Sequence, residues 1–234
     1  MSRELSLSAS LGFSKNGAKF DATSAGLLSS GSVDVAGDNA IKENQVIDRT
    51  GLTLDKGAIG VIGFALLKNL ATAGVPDAPV VTVTIAGAAG TTSRTYVVVA
   101  NFADGSKSVS NAFAIATTNA TLDGTNYDIV AWTDVGAATY DIYRTVSGGT
   151  PSTTGLIHSG STTSPYNDQG AAGDSASVPA AIASIKAFEI GADGTNWPLQ
   201  LKAGESNLFR WNATDMHVRA AGPPVPIEDT LIED

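Results

Sequence analysis

Cysteine is absent from the 234-residue sequence, and charged residues make up only 16% of it. Without cysteine the chain forms no disulfide, offers no thiolate to a zinc ion and has no cysteine nucleophile. A low content of charged residues also disfavours amphipathic helices, whose solvent faces are rich in charge. The chain must therefore be held together by its apolar core and must draw any chemistry from other side chains.

Long apolar runs are also missing. None approaches the roughly 20 residues that span a bilayer, so no membrane contact is expected. The amino-terminal segment MSRELSLSASLGFSK lacks the continuous apolar core of a signal peptide, because Glu4 and several serines interrupt it. The sequence predicts a soluble protein that is made in the cytoplasm without processing.

Basic residues are fewer than acidic residues. Fourteen Lys and Arg stand against 23 Asp and Glu, which gives a formal net charge of −9. Such a surface repels a phosphate backbone unless a local basic patch exists. The basic residues are scattered along the sequence, so nucleic acid is not an expected partner.

Small and turn-forming residues dominate what is present. Hydrophobic residues reach 43%, enough to close a core, and there are 25 glycines among many Ser, Thr and Ala. This usage is typical of short strands joined by tight turns. The sequence predicts an all-β protein built from antiparallel β-sandwiches.

Hydrophobic alternation marks the strands. One face of residues 5–13 is apolar and the other polar, which predicts a half-buried strand. Further strands are expected at Val33 and Val35 and at Leu52 and Leu54. The run AIGVIGFALLKNL is apolar on both faces, which predicts a strand covered on both sides in the middle of a sandwich.

The composition changes near residue 75, where VPDAPVVTVTIAG begins in the manner of an appended domain, and GDSASVPAAIAS predicts a flexible linker. Residues 76–178 therefore form one predicted small sandwich. Residues 1–74 and 180–234 each have too few strands to bury a core alone. The sequence predicts that together they form one discontinuous assembly domain, with the small sandwich inserted at an exposed loop.

The outer frame resembles a recurrent small virion protein of tailed bacteriophages. The resemblance is carried by LKNL (67–70), FEIGADG (188–194), LKAGESNLFRW (201–211) and MHVRAAG (216–222). It implies a strand and corner geometry that serves assembly, in a protein of the decoration, collar or tail-associated type. The implied location is the virion, assembled in the host cytoplasm.

The inserted part resembles fibronectin type III and immunoglobulin-like modules. The segment IVAWTDVGAATYDIYR carries the resemblance, although the strand TYVVVANFADG precedes the tryptophan strand instead of following it. The resemblance implies that aromatic and branched side chains fill the core of this module. The expected core residues are Tyr96, Trp132, Tyr140 and Ile142.

Candidate catalytic groups are few. The only histidines, His158 and His217, fall in different predicted domains and belong to no nucleophile or zinc motif, so both are expected to face solvent. Hydrolysis by paired carboxylates would need a cleft between acidic residues of the module. These residues are instead expected to be solvated or to cap turns: Asp128, Asp134, Asp141 and Asp168.

Two oxygen-rich loops, residues 119–126 and 191–196, lack the regular spacing of a calcium-binding loop and are predicted to be plain turns. No metal and no cofactor are expected. With no catalytic motif and no metal site, the sequence predicts that the protein is not an enzyme.

An aromatic corner near the carboxyl end is the remaining candidate. It consists of Trp197, Phe209, Arg210, Trp211 and His217. In one interpretation Phe209 and Trp211 fill the core of the frame while Arg210 faces water. In the other the corner is a subunit interface, where Trp and Arg are enriched.

The tail AAGPPVPIEDTLIED favours an interface. Its prolines keep it extended, and Ile227, Leu231 and Ile232 lie among acidic residues. Such an arm can add a strand to the sheet of a neighbouring subunit. These three residues therefore join the aromatic corner as predicted interface residues.

The predicted function is a non-enzymatic structural component of a bacteriophage virion. Its outer frame and carboxyl-terminal arm bind capsid, connector or tail subunits, a homo-oligomer is expected, and the inserted module projects outward. The alternative is a module that adheres to carbohydrate on the host cell surface. In that case Tyr127, Trp132, Tyr143 or loop residues contact the sugar.

Overall fold

The computed structural model describes residues 4–5, 12–15, 18–21, 33–34, 40–213 and 215–233. These residues form strands, turns and extended segments without a helix, so the prediction of an all-β protein is confirmed. None of the described segments is a helix of the length and apolarity needed to cross a membrane.

The strands fall into two groups along the chain. Those outside the inserted segment are β1 (Glu4–Leu5), β2 (Gly12–Lys15), β3 (Ala18–Asp21), β4 (Val33–Asp34), β5 (Ala40–Ile47), β6 (Leu52–Thr53), β7 (Ile62–Asn69), β16 (Phe188–Gly191), β17 (Leu199–Leu201), β18 (Ser206–Ala213), β19 (His217–Ala220) and β20 (Val225–Glu233). Those inside it are β8 (Val81–Ala86), β9 (Thr92–Asn101), β10 (Lys107–Val109), β11 (Phe113–Thr118), β12 (Tyr127–Trp132), β13 (Thr139–Ser147), β14 (Gly155–Ser161) and β15 (Tyr166–Asp168).

The frame is a sandwich of two antiparallel four-stranded sheets. One has the order β18-β7-β20-β5 and the other β17-β16-β19-β6, so each sheet contains strands from before and after the inserted segment. The apolar sides of both sheets meet in a single core that includes Ile47, Leu67, Phe188, Val218 and Leu231. Because each sheet needs strands from both parts of the chain, the core forms only when the two parts meet.

The carboxyl-terminal segment is an inner strand of the frame. Strand β20 pairs with β7 on one side and with β5 on the other, and Ile227 and Leu231 are fully buried. The prediction of a free arm that reaches a neighbouring subunit is therefore wrong for these residues, because the chain's own sheet uses the hydrogen bonds of β20. For Ile232 the structure describes the backbone, which pairs with Ala40 and Phe64.

Strand β7 is covered more fully on one side than on the other. Ala65 and Leu67 are fully buried, whereas Leu66 is 37% exposed on the opposite side. The prediction of a strand buried on both faces is therefore wrong here, because only one side of the sheet faces the second sheet.

The amino-terminal strands are short and pair among themselves. Strand β1 pairs with β4, and β2 pairs with β3. The predicted strand at Val33 corresponds to β4. Residues 6–11 of the predicted opening strand, and Val35, lie outside the described residues.

The inserted segment folds as a second sandwich, here called the module. Its sheets are β15-β12-β8 and β10-β9-β13-β14, and β11 joins the second sheet on β9. Between the sheets lies a core that contains the four predicted residues: Tyr96, Trp132, Tyr140 and Ile142. The rings of Trp132 and Tyr140 pack with centroids 5.3 Å apart.

The chain leaves and re-enters the frame at one place. Gly74 and Ser184 exchange two backbone hydrogen bonds, of 3.0 and 2.8 Å. The linker 173–184, predicted to be flexible, is bonded to the module: Asp174 N–H donates to the Leu156 carbonyl, and Ile182 pairs with Lys107. Sequence composition did not reveal this because backbone bonding depends on the neighbouring strand and not on the linker's own side chains.

A buried acid gives the frame a pH dependence. Asp229 on β20 is fully buried, accepts a hydrogen bond from Gln45 Nε2 at 3.1 Å, and its Oδ2 has no partner among the described residues. Burial, together with the Glu43 carboxylate, raises the pKa of Asp229 from 3.8 to about 6. The folded state therefore binds more protons than the unfolded state between these two values, and stability falls as pH rises through that window.

Replacing this acid by its amide is expected to stabilise the frame at neutral pH. Asp229→Asn removes the cost of ionising a buried carboxyl, which is about 3 kcal/mol for a pKa raised from 3.8 to about 6. The measurement is urea unfolding between about pH 4 and pH 8, where the variant should lose the wild-type decline in stability. Glu228→Gln, one residue earlier on β20, is the matched control and should retain that decline. A variant that is less stable than wild type at neutral pH would contradict the argument.

Candidate functional site

Five polar side chains form a network inside the module. They are fully buried and come from both sheets: Arg94, Tyr96, Asp128, Arg144 and Asp168. Arg144 Nη1 lies 2.6 Å from Asp168 Oδ2. The Tyr96 hydroxyl lies 2.7 Å from Asp128 Oδ2 and 2.9 Å from Asp168 Oδ2.

The two arginines of the network lie at different distances from their carboxylates. Arg144 forms a tight ion pair, whereas Arg94 Nη1 is 3.9 Å from Asp128 Oδ2. Burial raises the pKa of Asp128 against the opposing effects of the Tyr96 hydrogen bond and the Arg94 charge. Burial and the two carboxylates also raise the pKa of Tyr96, so its hydroxyl remains a donor. Every member is fully buried, so the carboxylates are not positioned to act on a substrate in solvent.

Arg94 fixes two loops. Its Nη1 donates to the Thr118 hydroxyl and, at 2.7 Å, to the Asn119 carbonyl oxygen. Its Nη2 reaches the carbonyl oxygens of Ala120 and Thr150, each at 3.4 Å. Gly149 permits this approach, because a Cβ there would lie 2.7 Å from Nη2. One buried guanidinium thus links the loop after β11 to the loop after β13.

Arg144 also holds the loop after β13 and fixes one further segment. Its Nη2 donates to the Thr153 carbonyl at 3.0 Å and to the Ala171 carbonyl at 2.7 Å. Together the two arginines hold the loops 119–126, 148–154 and 169–173, which we call the distal tip. Loops 102–106 and 133–138 lie at the opposite ends of the same strands and approach the frame, since Asp104 lies against Gly222 and Gly136 against Pro224.

The distal tip is also braced internally. Asp123 accepts the backbone N–H groups of Thr125 and Asn126, both at 2.8 Å, and these bonds lower its pKa. Asn126 Oδ1 accepts the Ala88 N–H at 2.9 Å. A polar surface whose loops are fixed before binding loses little entropy on contact. The distal tip is therefore held in shape by these bonds and, from the core beneath it, by the guanidinium groups of Arg94 and Arg144.

The acidic residues of the module divide into two classes. Asp128 and Asp168 were expected to be solvated or to cap turns, and the structure corrects this because both are fully buried. Asp134 accepts the Gly136 N–H at 2.9 Å, and Asp141 accepts the Gly160 N–H at 2.9 Å. The buried pair could have been found from alternation, as Asp128 shares its strand face with Val130 and Trp132.

Two of the three aromatic residues that were expected to contact sugar are buried. Trp132 and Tyr143 are each 7% exposed, so neither ring presents a face on which a pyranose can stack. Tyr127 lies on β12 and is half-buried. The expectation that these rings contact carbohydrate is wrong for Trp132 and Tyr143, because the core and the linker cover them.

The predicted aromatic corner is divided among three surfaces of the frame. Phe209 and Trp211 pack against the core from the edge strand β18, and Trp211 Nε1 donates to the Asp215 carbonyl at 2.9 Å. Arg210, between them, is exposed on the outer side of the sheet. Strand alternation explains this division, because neighbouring residues point to opposite sides.

Of the other two predicted residues, His217 lies on β19 of the second sheet and Trp197 lies in the loop before β17. The Arg219 guanidinium lies 4.5 Å from the centre of the Trp197 ring, and its Nε donates to Glu189 at 2.7 Å. His217 Nδ1 lies 2.9 Å from the Thr53 hydroxyl. Arg219 is the residue that sequence reasoning missed here, although its alternation with Val218 places it on the outer side.

His158, expected to face solvent, is half-buried and stacks on Tyr166 with ring centres 4.6 Å apart. An open cleft of about 420 Å³ lies between frame and module, lined in part by Asp48, Asp77, Asp134 and Lys186. Among the described residues there is no cluster of His, Asp or Glu side chains placed to hold a metal ion.

Comparison with protein-family models, with curated proteins and with solved structures finds no match.

Proposed function

We propose that this protein is a non-enzymatic structural component of a bacteriophage virion. In this proposal the frame binds capsid, connector or tail subunits, and the module projects away from them with its distal tip outermost. The observation that carries the proposal is the hydrogen-bonded junction at Gly74 and Ser184, through which the module is displayed on a body completed by both chain ends. The resemblance of the frame to small phage virion proteins gives the proposal its context.

The junction suits a displayed module. Two chain segments connect the sandwiches, and they are bonded to each other where they cross. Asp104 Oδ2 accepts the Ser184 hydroxyl at 2.5 Å, which ties the module's β9–β10 loop to the junction. A doubly connected module keeps its orientation better than one on a single flexible linker. Its far end is then presented in a fixed direction.

The frame supplies the attachment surfaces. Because β20 lies inside its sheet, binding to other subunits falls to the outer sides of the two sheets and to the edge strands β5 and β18. Edge strands present backbone groups that can pair with another chain. With such surfaces on several sides of the frame, identical copies can contact one another in a symmetric arrangement on a particle.

The location can be tested on particles. Gold-labelled antibody against this chain, applied to purified particles of the phage that encodes it, is expected to decorate one repeated position. Mass spectrometry of the same particles should detect the chain in a fixed ratio to the major capsid protein. An antibody against a non-virion protein of the phage is the control. Absence of the chain from infectious particles would overturn the proposal.

A second candidate function is adhesion of the module to host-surface glycan. The fixed polar loops of the distal tip favour it, since preorganised hydrogen-bonding groups suit hydroxyl-rich ligands. Retention on a glycan array that is lost in Thr121→Ala or Thr125→Ala would support this function. Retention that is unchanged by both replacements would remove the distal tip as the binding surface.

A further inference from the structure

The outer side of the sheet β18-β7-β20-β5 combines apolar and basic side chains. Strand register places Leu208, Leu66, Thr230 and Lys42 in one row across it. The next row contains Ser206, Lys68, Glu228 and Asn44, and Arg210 stands opposite Phe64 in the row on the other side. We call this surface the basic face.

Much of the basic face is open to solvent. Leu66 is 37% and Val46 67% exposed, and Lys68 and Arg210 are exposed as well. The Lys42 ammonium lies 3.1 Å from Glu228, so the acid within these rows is already paired with a cation. The remaining charge is positive, on a protein whose net charge is −9.

The surface of the module carries the opposite charge. Residues 75–179 contain eight Asp, no Glu and three Lys or Arg. Two of the basic residues, Arg94 and Arg144, are fully buried with Asp128 and Asp168. The surface of the module therefore carries six Asp against the single cation of Lys107.

One surface of the module is complementary to the basic face, because it combines acidic side chains with an exposed apolar residue. Val80 is 64% exposed, and its backbone bonds to Thr133 bring it beside Asp134. Asp77 and Asp134 are both exposed and line the same cleft. We call Asp77, Asp134 and the exposed Val80 the acidic patch. With Asp48, its two carboxylates outnumber Lys186, which lines the same cleft. Such a surface complements apolar residues set among cations.

We infer that the basic face of one copy of this chain docks on the acidic patch of a second copy. Two basic faces repel each other, and so do two acidic patches, whereas the unlike pair attracts. The contact is then head-to-tail, so repeated association closes into a ring or extends as a chain. This inference rests on the proposed assembly function and names the partner surface.

Sedimentation velocity of the full chain tests the inference. Oligomers are expected at low ionic strength and should dissociate between about 50 and 500 mM salt, because screening weakens exposed charge pairs. Arg210→Glu with Lys68→Glu disables the face, and Asp77→Lys disables the patch. Either variant should weaken association by about 10-fold or more. Lys202→Glu, an exposed frame residue outside the face, is the matched control and should associate like wild type.

A mixture of the two variants gives the sharper result. Each partner retains one working surface, so the mixture should form one-to-one dimers and nothing larger. A chain that carries all three replacements has a negative face and a patch without net charge, so it should stay monomeric. A wild-type chain that stays monomeric, oligomers that the face variants leave unchanged, or a mixture that grows beyond dimers would each overturn the inference. Antibody labelling of particles would still test the virion role independently.

Discussion

Replacing Arg144 by methionine is expected to destabilise the module by about 3–5 kcal/mol, because removal of one partner leaves a buried charge uncompensated. Asp168 is fully buried and 2.6 Å from this guanidinium. The carbonyl oxygens of Thr153 and Ala171 lose their donors in the same change. The effect should therefore reach both the core of the module and its distal tip.

Urea unfolding combined with hydrogen exchange measures both consequences. Exchange should accelerate in the module while the frame strands keep their protection. Lys107→Met removes a partly exposed cation of the same module and should change stability by no more than about 0.5 kcal/mol. Arg144→Met combined with Asp168→Asn should cost less than the sum of the single changes. A loss below about 1 kcal/mol for Arg144→Met would mean that the pair is not buried as described.

Removing residues 224–234 is expected to unfold the frame and leave the module folded. The truncation deletes β20, so β5 and β7 lose their common partner and the core loses Ile227 and Leu231. Two buried aliphatic side chains alone represent about 4–10 kcal/mol, which is comparable with the stability of a whole domain. A free arm, by contrast, could be removed without harm to its own domain.

Limited proteolysis distinguishes these outcomes. The truncated chain should yield a resistant fragment that corresponds to the module, whereas the full chain should resist cleavage in both sandwiches. Single replacements in the intact chain give a graded comparison. Ile227→Ala should cost about 2–5 kcal/mol, and Glu228→Gln, which changes an outward side chain, below about 1 kcal/mol. A truncated frame that still unfolds cooperatively would show that β20 is dispensable.

Both predictions concern how the proposed display is built. The frame depends on β20, so the attachment surfaces that we propose for it exist only after both parts of the frame have met. The distal tip depends on two arginines that are fully buried in the module. A variant in either feature should fail in assembly or recognition while leaving the other sandwich intact.

Composition and alternation alone determined the all-β class, many of the strands and the inward side of the module. Tyr96, Trp132, Tyr140 and Ile142 were expected in the core because this segment resembles immunoglobulin-like modules. Strand alternation agrees, since it places Tyr96 on β9 and Ile142 on β13 on the same side as residues two positions away. The same alternation places Arg94 and Arg144 inward. Charged residues are rarely buried without partners, and this general rule argued against an inward position for the two arginines.

Tertiary structure decided the rest, since a period of two specifies the side on which a residue lies but not what covers that side. The partners of Arg94 and Arg144 come from strands and loops distant in sequence. Likewise, the tail at Ile227 and Leu231 has the same pattern whether it pairs within its own sheet or with a neighbour. Only the contacts between the two ends of the chain made it an inner strand of the frame, because strand pairing is non-local.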